Sequence, residues 1–214
     1  LESRYPVGQL ELILVDGGST DDSLALMVRE FPSVLVLRAP SNNYCAANNL
    51  GISRARGTYI ALLNNDTRVD PGWLEPLIDL LQHRRDVGAA GSKVLSMDGK
   101  RILSVGHTDL PNYYWDGRGC NEPDEGQYDE ITEVVSLPGT AVVYRRACLE
   151  QVGPLDEDFV MYVEDVELGY RCRQHGWRLY AVPQSRVYHV QHGSLTPEEA
   201  RWWTERNRLL FVVK

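Results

Sequence analysis

Apolar positions along the chain fall into short runs separated by stretches with helical spacing. Leu10-Glu11-Leu12-Ile13-Leu14-Val15 reads as a buried strand, and the segment after it carries Leu24, Met27, Val28 and Phe31 at i, i+3, i+4 and i+7, one face of a helix. Ser19, with Asp22 three residues on, gives that helix an acidic version of the capping box. Val34 to Leu37 predicts a second strand, Ala46 to Arg54 a helix ended near Gly57, and Tyr59-Ile60-Ala61-Leu62-Leu63 a third strand. Asp70 then caps a helix with Pro71 in its first position and Leu74, Leu77, Ile78 and Leu81 along one face, before Val87 to Leu95 returns as a strand. This alternation over residues 1–95 is the pattern of an open, mostly parallel α/β sheet with helices on both faces. Ligands of such sheets bind beyond the carboxyl ends of the strands.

The second half is less regular. An acidic stretch runs from about Gly106 to Glu133, followed by short strands at Val134 to Leu137 and Ala141 to Tyr144. A helix near Val163 to His175, strands at Arg178 to Val182 and Arg186 to Val190, and a final helix from Pro197 complete the pattern. Neither an internal repeat nor a linker interrupts it, and 214 residues suffice for one self-supporting core, so a single domain over 1–214 is expected, in halves 1–95 and 96–214.

Charge narrows the ligands. A net of -8 argues against a nucleic-acid binder held by phosphate contacts, and an anionic ligand needs local help from a metal or a helix N-terminus. Between Trp115 and Val134 seven acids face one base, Arg118, so most of the charge sits in one stretch. Cys45, Cys120, Cys148 and Cys172 form no CxxC pair, which suggests neither a zinc site nor a disulfide framework and points to a reducing, cytosolic setting. The start at Leu1-Glu2-Ser3-Arg4, without an initiator Met, suggests an excised segment.

Four places carry candidate chemistry. Asp16, in Val15-Asp16-Gly17-Gly18-Ser19, ends the first strand; it is either a nucleobase contact or an ordinary βα turn residue. Asn64-Asn65-Asp66 ends the third strand, where an acid can hold a divalent cation and so a diphosphate, or simply shape the exit turn. Glu164-Asp165 opens a helix behind the apolar approach Phe159 to Val163, and adjacent helical residues point about 100° apart, so the two serve different faces. A carboxylate leaving an apolar segment fits a general base, whereas acids in a first turn also complement the helix dipole. His189 and His192 fall on opposite faces of an extended segment and do not chelate together, although one of them fits a ligand; His83, His107, His175 and His192 read as structural residues.

Together these segments resemble family 2 glycosyltransferases of the GT-A fold, in particular the bacterial rhamnosyl- and galactofuranosyltransferase-like branch. The resemblance runs from Leu10 to Lys214. It is carried by Val15-Asp16-Gly17-Gly18-Ser19-Thr20-Asp21, Asn48-Asn49-Leu50-Gly51-Ile52, the strand ending in Asn64-Asn65-Asp66, Gly153-Pro154-Leu155-Asp156-Glu157-Asp158-Phe159, Tyr162 to Arg171, Val187-Tyr188-His189 and Arg206-Asn207-Arg208. It implies Asp16 at the nucleobase, Asn64-Asn65-Asp66 in the DxD position for ribose and metal-diphosphate, Asp66 and His189 as ligands of Mg²⁺ or Mn²⁺, and Asp165 as catalytic base. The implied reaction is inverting transfer from a UDP- or dTDP-sugar to a glycan or lipid-linked acceptor, in cell-surface polysaccharide synthesis at the inner face of a membrane.

The chain departs from the family in carrying Gly17 for a second acid, Asn64 for the first DxD acid and Asn43 for a common Gly, and the family's first strand would lie upstream of Leu1. On the acceptor side stand Glu164 and the aromatic group Tyr113, Tyr114 and Trp115, either sugar platforms or part of a solvated loop. The apolar final helix, with Trp202, Trp203, Leu209 and Phe211, docks on the domain or meets a partner domain or membrane surface. The alternative function is a catalytically silent GT-A module that binds or scaffolds within a larger protein.

Overall fold

A computed structural model describes residues 4–110, 114–190 and 195–214. In chain order it contains β1 (Ile13–Asp16), α1 (Ser23–Glu30), β2 (Leu35–Arg38), α2 (Tyr44–Arg54), β3 (Tyr59–Leu63), β4 (Thr67–Val69), α3 (Leu74–His83) and β5 (Val87–Ser96). There follow β6 (Ile102–Ser104), β7 (His107–Leu110), β8 (Tyr114–Gly117), β9 (Thr132–Glu133), β10 (Ala141–Arg145), α4 (Arg146–Val152), α5 (Glu164–Gln174), β11 (Arg178–His189) and α6 (Pro197–Val213).

The expected α/β alternation is present, but the main sheet is mixed. Its order is β3-β10-β5-β11-β4, with β6 beside β5 and β9 beside β11. β5 and β11 are parallel, whereas β10 runs against both of its neighbours, β3 and β5. β1 and β2 form a separate parallel pair. Alternating hydrophobicity marks a strand without marking its direction, so the insertion of β10 between β3 and β5 is not written in the pattern. That alternation does distribute the core. Ala89, Val142, Tyr144, Leu179 and Ala181 join one buried cluster, while Val87, Ala90, Ala141, Val143, Tyr180 and Val182 join the other with α3. β5 is lined with small residues because the packing is close: a Cβ on Gly91 would stand 2.5 Å from Leu137 Cδ2.

Several boundaries differ from the expectation for local reasons. Asp70 does not cap α3; the chain makes a turn closed by Trp73 N–H to the Asp70 carbonyl (3.1 Å), and the helix begins at Leu74. The Ser19–Asp22 box is not formed, since Ser19 N–H donates to Asp16 instead and Asp22 makes no side-chain cap. The two strands expected at 178–190 are one, irregular between Val182 and Arg186 around Pro183, which has no N–H for the ladder. α4, only seven residues long, is too short to have announced itself by periodicity. α6 does carry a full capping box between Thr196 and Glu199. It docks through Asn207, Leu210 and Phe211 while Trp202 and Leu209 stay exposed. Among the described residues no helix is long and apolar enough to cross a membrane.

The acidic stretch is pinned to the domain. Lys93, in the middle of β5 and fully buried, places its Nζ 2.6 Å from Asp124 and 2.8 Å from Asp129. Arg178 pairs with Glu133, and Tyr128 donates its hydroxyl to Glu122 (3.0 Å). Breaking a buried pair from one side costs about 3–5 kcal/mol, and with the Asp129 side chain 47% exposed we expect Lys93→Met to lower the unfolding free energy by about 2–3 kcal/mol at pH 7 in urea denaturation. Lys93 also holds the Asp129 carboxyl below the usual carboxylate range. That stabilisation is present above the unfolded pKa and lost as pH falls through the folded one, so variant and wild type should converge in acid. A variant as stable as wild type at pH 7 contradicts this account.

Candidate active site

The carboxyl end of β3 supplies the first part of the site. After Leu63 the chain turns through Asn64, Asn65 and Asp66 into β4; Asn64 N–H donates to the Thr140 carbonyl (3.0 Å) and Thr67 Oγ1 to the Asn64 carbonyl (2.6 Å). Pairing of β4 with β11 sets Thr67 opposite His189, and Val190 N–H donates to the Asp66 carbonyl (3.1 Å). Strand register thus delivers His189 Nε2 to 3.0 Å from Asp66 Oδ1, both side chains partly exposed. Asn65 is exposed beside them.

The N-terminus of α5 supplies the second part. Ahead of it Val160, Tyr162 and Val163 take φ of 64°, 65° and 70°, a region that β-branched residues rarely enter. The abrupt start puts Glu164 and Asp165 in the first turn, rotated apart as helical geometry requires. Glu164 points inward, 6% exposed, with Oε2 lacking a hydrogen-bond partner among the described residues. Burial, reinforced by the Asp165 carboxylate, pushes its carboxyl well above the usual range. Asp165 is half-buried; Oδ2 accepts from Gly139 N–H (3.1 Å) and Oδ1 from Val166 N–H (2.8 Å).

Two residues that periodicity and motif reading missed join these parts. Tyr44, in the first position of α2, donates its hydroxyl to the Gly139 carbonyl (3.0 Å), with Asn64 Oδ1 at 3.4 Å from the same oxygen. Gly139 is thereby held from both sides, by Tyr44 and by Asp165. A Cβ there would stand 2.7 Å from the Tyr44 oxygen, so the close approach requires glycine. Burial and the carboxylates of Glu164 and Asp165 push the Tyr44 phenol well up, which keeps it a donor. The available signal was Pro138-Gly139 between two apolar strands.

Asp16 ends β1 and accepts from Ser19 N–H (2.9 Å) within its own turn, whose hydrogen bonds hold its carboxyl below the usual range. Asp16 is 7% exposed. Trp115, read as a sugar platform or part of a solvated loop, packs edge-on against Phe211 of α6 (4.8 Å between ring centres) and donates Nε1–H to Asp109 (3.0 Å). The Arg208 guanidinium covers the Tyr114 ring at 4.3 Å. His83, His107 and His175 each place Nδ1 within 2.9 Å of a local oxygen partner, as structural residues do. Tyr113 and His192 lie outside the described residues.

The donor set can be tested for a divalent ion. Among the described residues no group of three or more His, Cys, Asp or Glu could enclose one. Asp66 and His189 offer two ligands at 3.0 Å from each other. Mg²⁺ is usually held by one or two carboxylates plus substrate phosphates, so this pair fits an ion shared with a diphosphate.

This α/β arrangement, a mixed central sheet with helices packed on it, is the fold of GT-A glycosyltransferases. The structure of GalNAc-T7 with UDP, GalNAc and Mn²⁺ superposes with a TM-score of 0.70 over 91% of this chain and 40% of its own, at 20% identity. The family described as glycosyl transferase family 2 matches residues 3–153, and the chain belongs to it. Its relatives include the O-antigen biosynthesis protein RfbC of Myxococcus xanthus, 30% identical over 94% of this chain and 16% of that protein. Another is the N-acetylglucosaminyl-diphospho-decaprenol L-rhamnosyltransferase of Mycobacterium tuberculosis, 27% identical over 88% of this chain and 68% of that enzyme. The chain therefore spans about a sixth of the first relative and two thirds of the second.

The inward carboxyl yields a prediction. A raised folded pKa makes the Glu164 contribution to stability complete below its unfolded pKa and progressively lost as pH rises toward the folded one. Glu164→Gln removes that loss, so the variant should melt above wild type at pH 7–8 and the gap should close toward pH 4. A variant that melts lower at neutral pH contradicts the upward shift of the Glu164 carboxyl.

Proposed function

We propose that this chain is the catalytic domain of an inverting, metal-dependent glycosyltransferase. It transfers a sugar from a UDP- or dTDP-sugar to a glycan or lipid-linked acceptor in cell-surface polysaccharide synthesis, at the cytoplasmic face of a membrane. The observation that carries the reading is the contact path from Asn64 through Tyr44 and Gly139 to Asp165, with Asp66 and His189 adjoining it. The names of the relatives, one in O-antigen biosynthesis and one acting on a diphospho-decaprenol-linked sugar, support the acceptor class.

Asp66 and His189 hold the divalent ion, with Asn64 and Asn65 at the ribose and Asp16 at the nucleobase. A bound Mg²⁺ or Mn²⁺ neutralises charge on the diphosphate leaving group. Asp165, its oxygens aimed by two backbone N–H groups, takes the proton of the acceptor hydroxyl. The hydroxyl oxygen forms the new bond to the anomeric carbon while the bond to the diphosphate breaks, the departing oxygen keeping the electron pair. One displacement inverts the centre. Burial and the Asp165 carboxylate push the neighbouring Glu164 carboxyl toward its neutral form. The exposed Trp202 and Leu209 of α6 are assigned to a membrane surface or partner domain.

Thermal shift of the full-length protein with UDP, dTDP and GDP, each with and without Mn²⁺, tests the donor half. Stabilisation by one nucleotide that depends on Mn²⁺ and disappears in Asp66→Ala is expected; no shift with any nucleotide favours the silent module. For the chemical half, Asp165→Asn should bind nucleotide as wild type does and lose about 10²–10⁴-fold in transfer rate. Turnover near wild type removes Asp165 from the role of base.

A further inference from the structure

The turn that aims Asp165 is strained, and something must hold it. Val160, Tyr162 and Val163 all have positive φ, and the Phe159, Met161 and Tyr162 carbonyls bracket this turn. α6 reaches the turn from the far end of the chain. Asn207, fully buried, sets its Nδ2 2.7 Å from each of the Phe159, Met161 and Tyr162 carbonyl oxygens, so two amide hydrogens serve three acceptors. Its Oδ1 accepts from Arg206 Nη1 (2.6 Å), which also donates to the Asp158 carbonyl (2.6 Å). One helical turn beyond Leu210, Lys214 pairs with the Asp158 carboxylate (2.8 Å).

We infer that Asn207 is a positioning residue for catalysis: its side-chain amide locks the carbonyls of the strained turn and so sets the direction in which Asp165 enters the site. The inference rests on the reading of Asp165 as the base. Asn207 touches no reacting group and acts only through the backbone. The chemistry selects asparagine narrowly. Aspartate has the same shape and no hydrogen to donate, so it would set a carboxylate among three carbonyl oxygens, and serine keeps a single hydrogen on a shorter arm. Of Arg206-Asn207-Arg208 only the central residue is fully buried, since Arg206 reaches a neighbouring carbonyl and Arg208 pairs with Glu205 at the surface.

The test uses Asn207→Asp and Asn207→Ser in the full-length protein, so that a folding failure of the first leaves the second. Amide hydrogen exchange across residues 157–166 should accelerate at least tenfold in either variant, while amides of β3 and β10 keep wild-type protection. Affinity for UDP with Mn²⁺, by calorimetry, should stay within twofold. With whichever of a panel of UDP-, dTDP- and GDP-sugars the wild type turns over, kcat should fall at least tenfold at unchanged donor KM. A purely structural asparagine would lower global stability and leave kcat of the folded protein and the local exchange as they were. Unchanged exchange at 157–166, or faster exchange with unchanged kcat, overturns the inference. Retained turnover in Asp165→Asn instead removes the base assignment, and the exchange measurement still decides whether Asn207 holds the turn.

Discussion

The Asp165 side of the site depends on how an irregular segment, from Leu155 to Val163, satisfies its backbone with no ladder and only a single 3-10 turn, Glu157–Phe159, of its own. A buried carbonyl or N–H left unpaired costs about 1–3 kcal/mol, and this segment is short of regular partners. Side-chain amides supply them. Asn49 of α2 bonds Leu155 in both directions, through Nδ2 to its carbonyl (2.8 Å) and from its N–H to Oδ1 (2.9 Å). Asn43 donates to the Glu157 carbonyl (3.0 Å), and the Cys45 N–H to that of Val160 (3.2 Å). Asn207 supplies the opposite side from α6. The helix bearing the proposed base is therefore aimed by residues from both ends of the sequence, and Tyr44 ties the same frame to the strand that ends in Asn64.

Much of this architecture is legible in the sequence, and the limits are physical. The strand at Tyr59–Leu63 and the start of α6 at Pro197 follow from local pattern, because alternation and capping are local effects. Contacts between distant residues are not. The Asp66–His189 approach depends on register between β4 and β11, so residue type alone hints at it and spacing does not. Tyr44 and Gly139 stand 95 residues apart and have unremarkable neighbours, which is why neither announces itself. Asn49 and Asn207 lie in stretches that resemble the family, yet nothing local tells a fastening amide from a ligand-binding one. Trp115 shows the same limit: an aromatic in a polar stretch suggests a sugar platform, and its edge contact with Phe211, from a helix at the chain's far end, is not written in the local pattern.

Charge is redistributed in the same way. The formal -8 suggests a broadly acidic surface. In the folded chain Lys93 and Arg178 are spent on the acidic stretch, and Glu164 is pushed toward its neutral form. The side proposed to meet the diphosphate offers one imidazole and one carboxylate, which suits a ligand that arrives with its own cation.

The fasteners of the Leu155–Val163 segment consist largely of amides, and amides neither titrate nor attract counter-ions. Acid, base and salt, which loosen ion pairs such as Lys93–Asp124, pass over Asn43, Asn49 and Asn207. Shape and charge are thus governed by different chemistry in this molecule: the scaffold that aims Asp165 keeps its geometry under conditions that loosen the ion pairs around it.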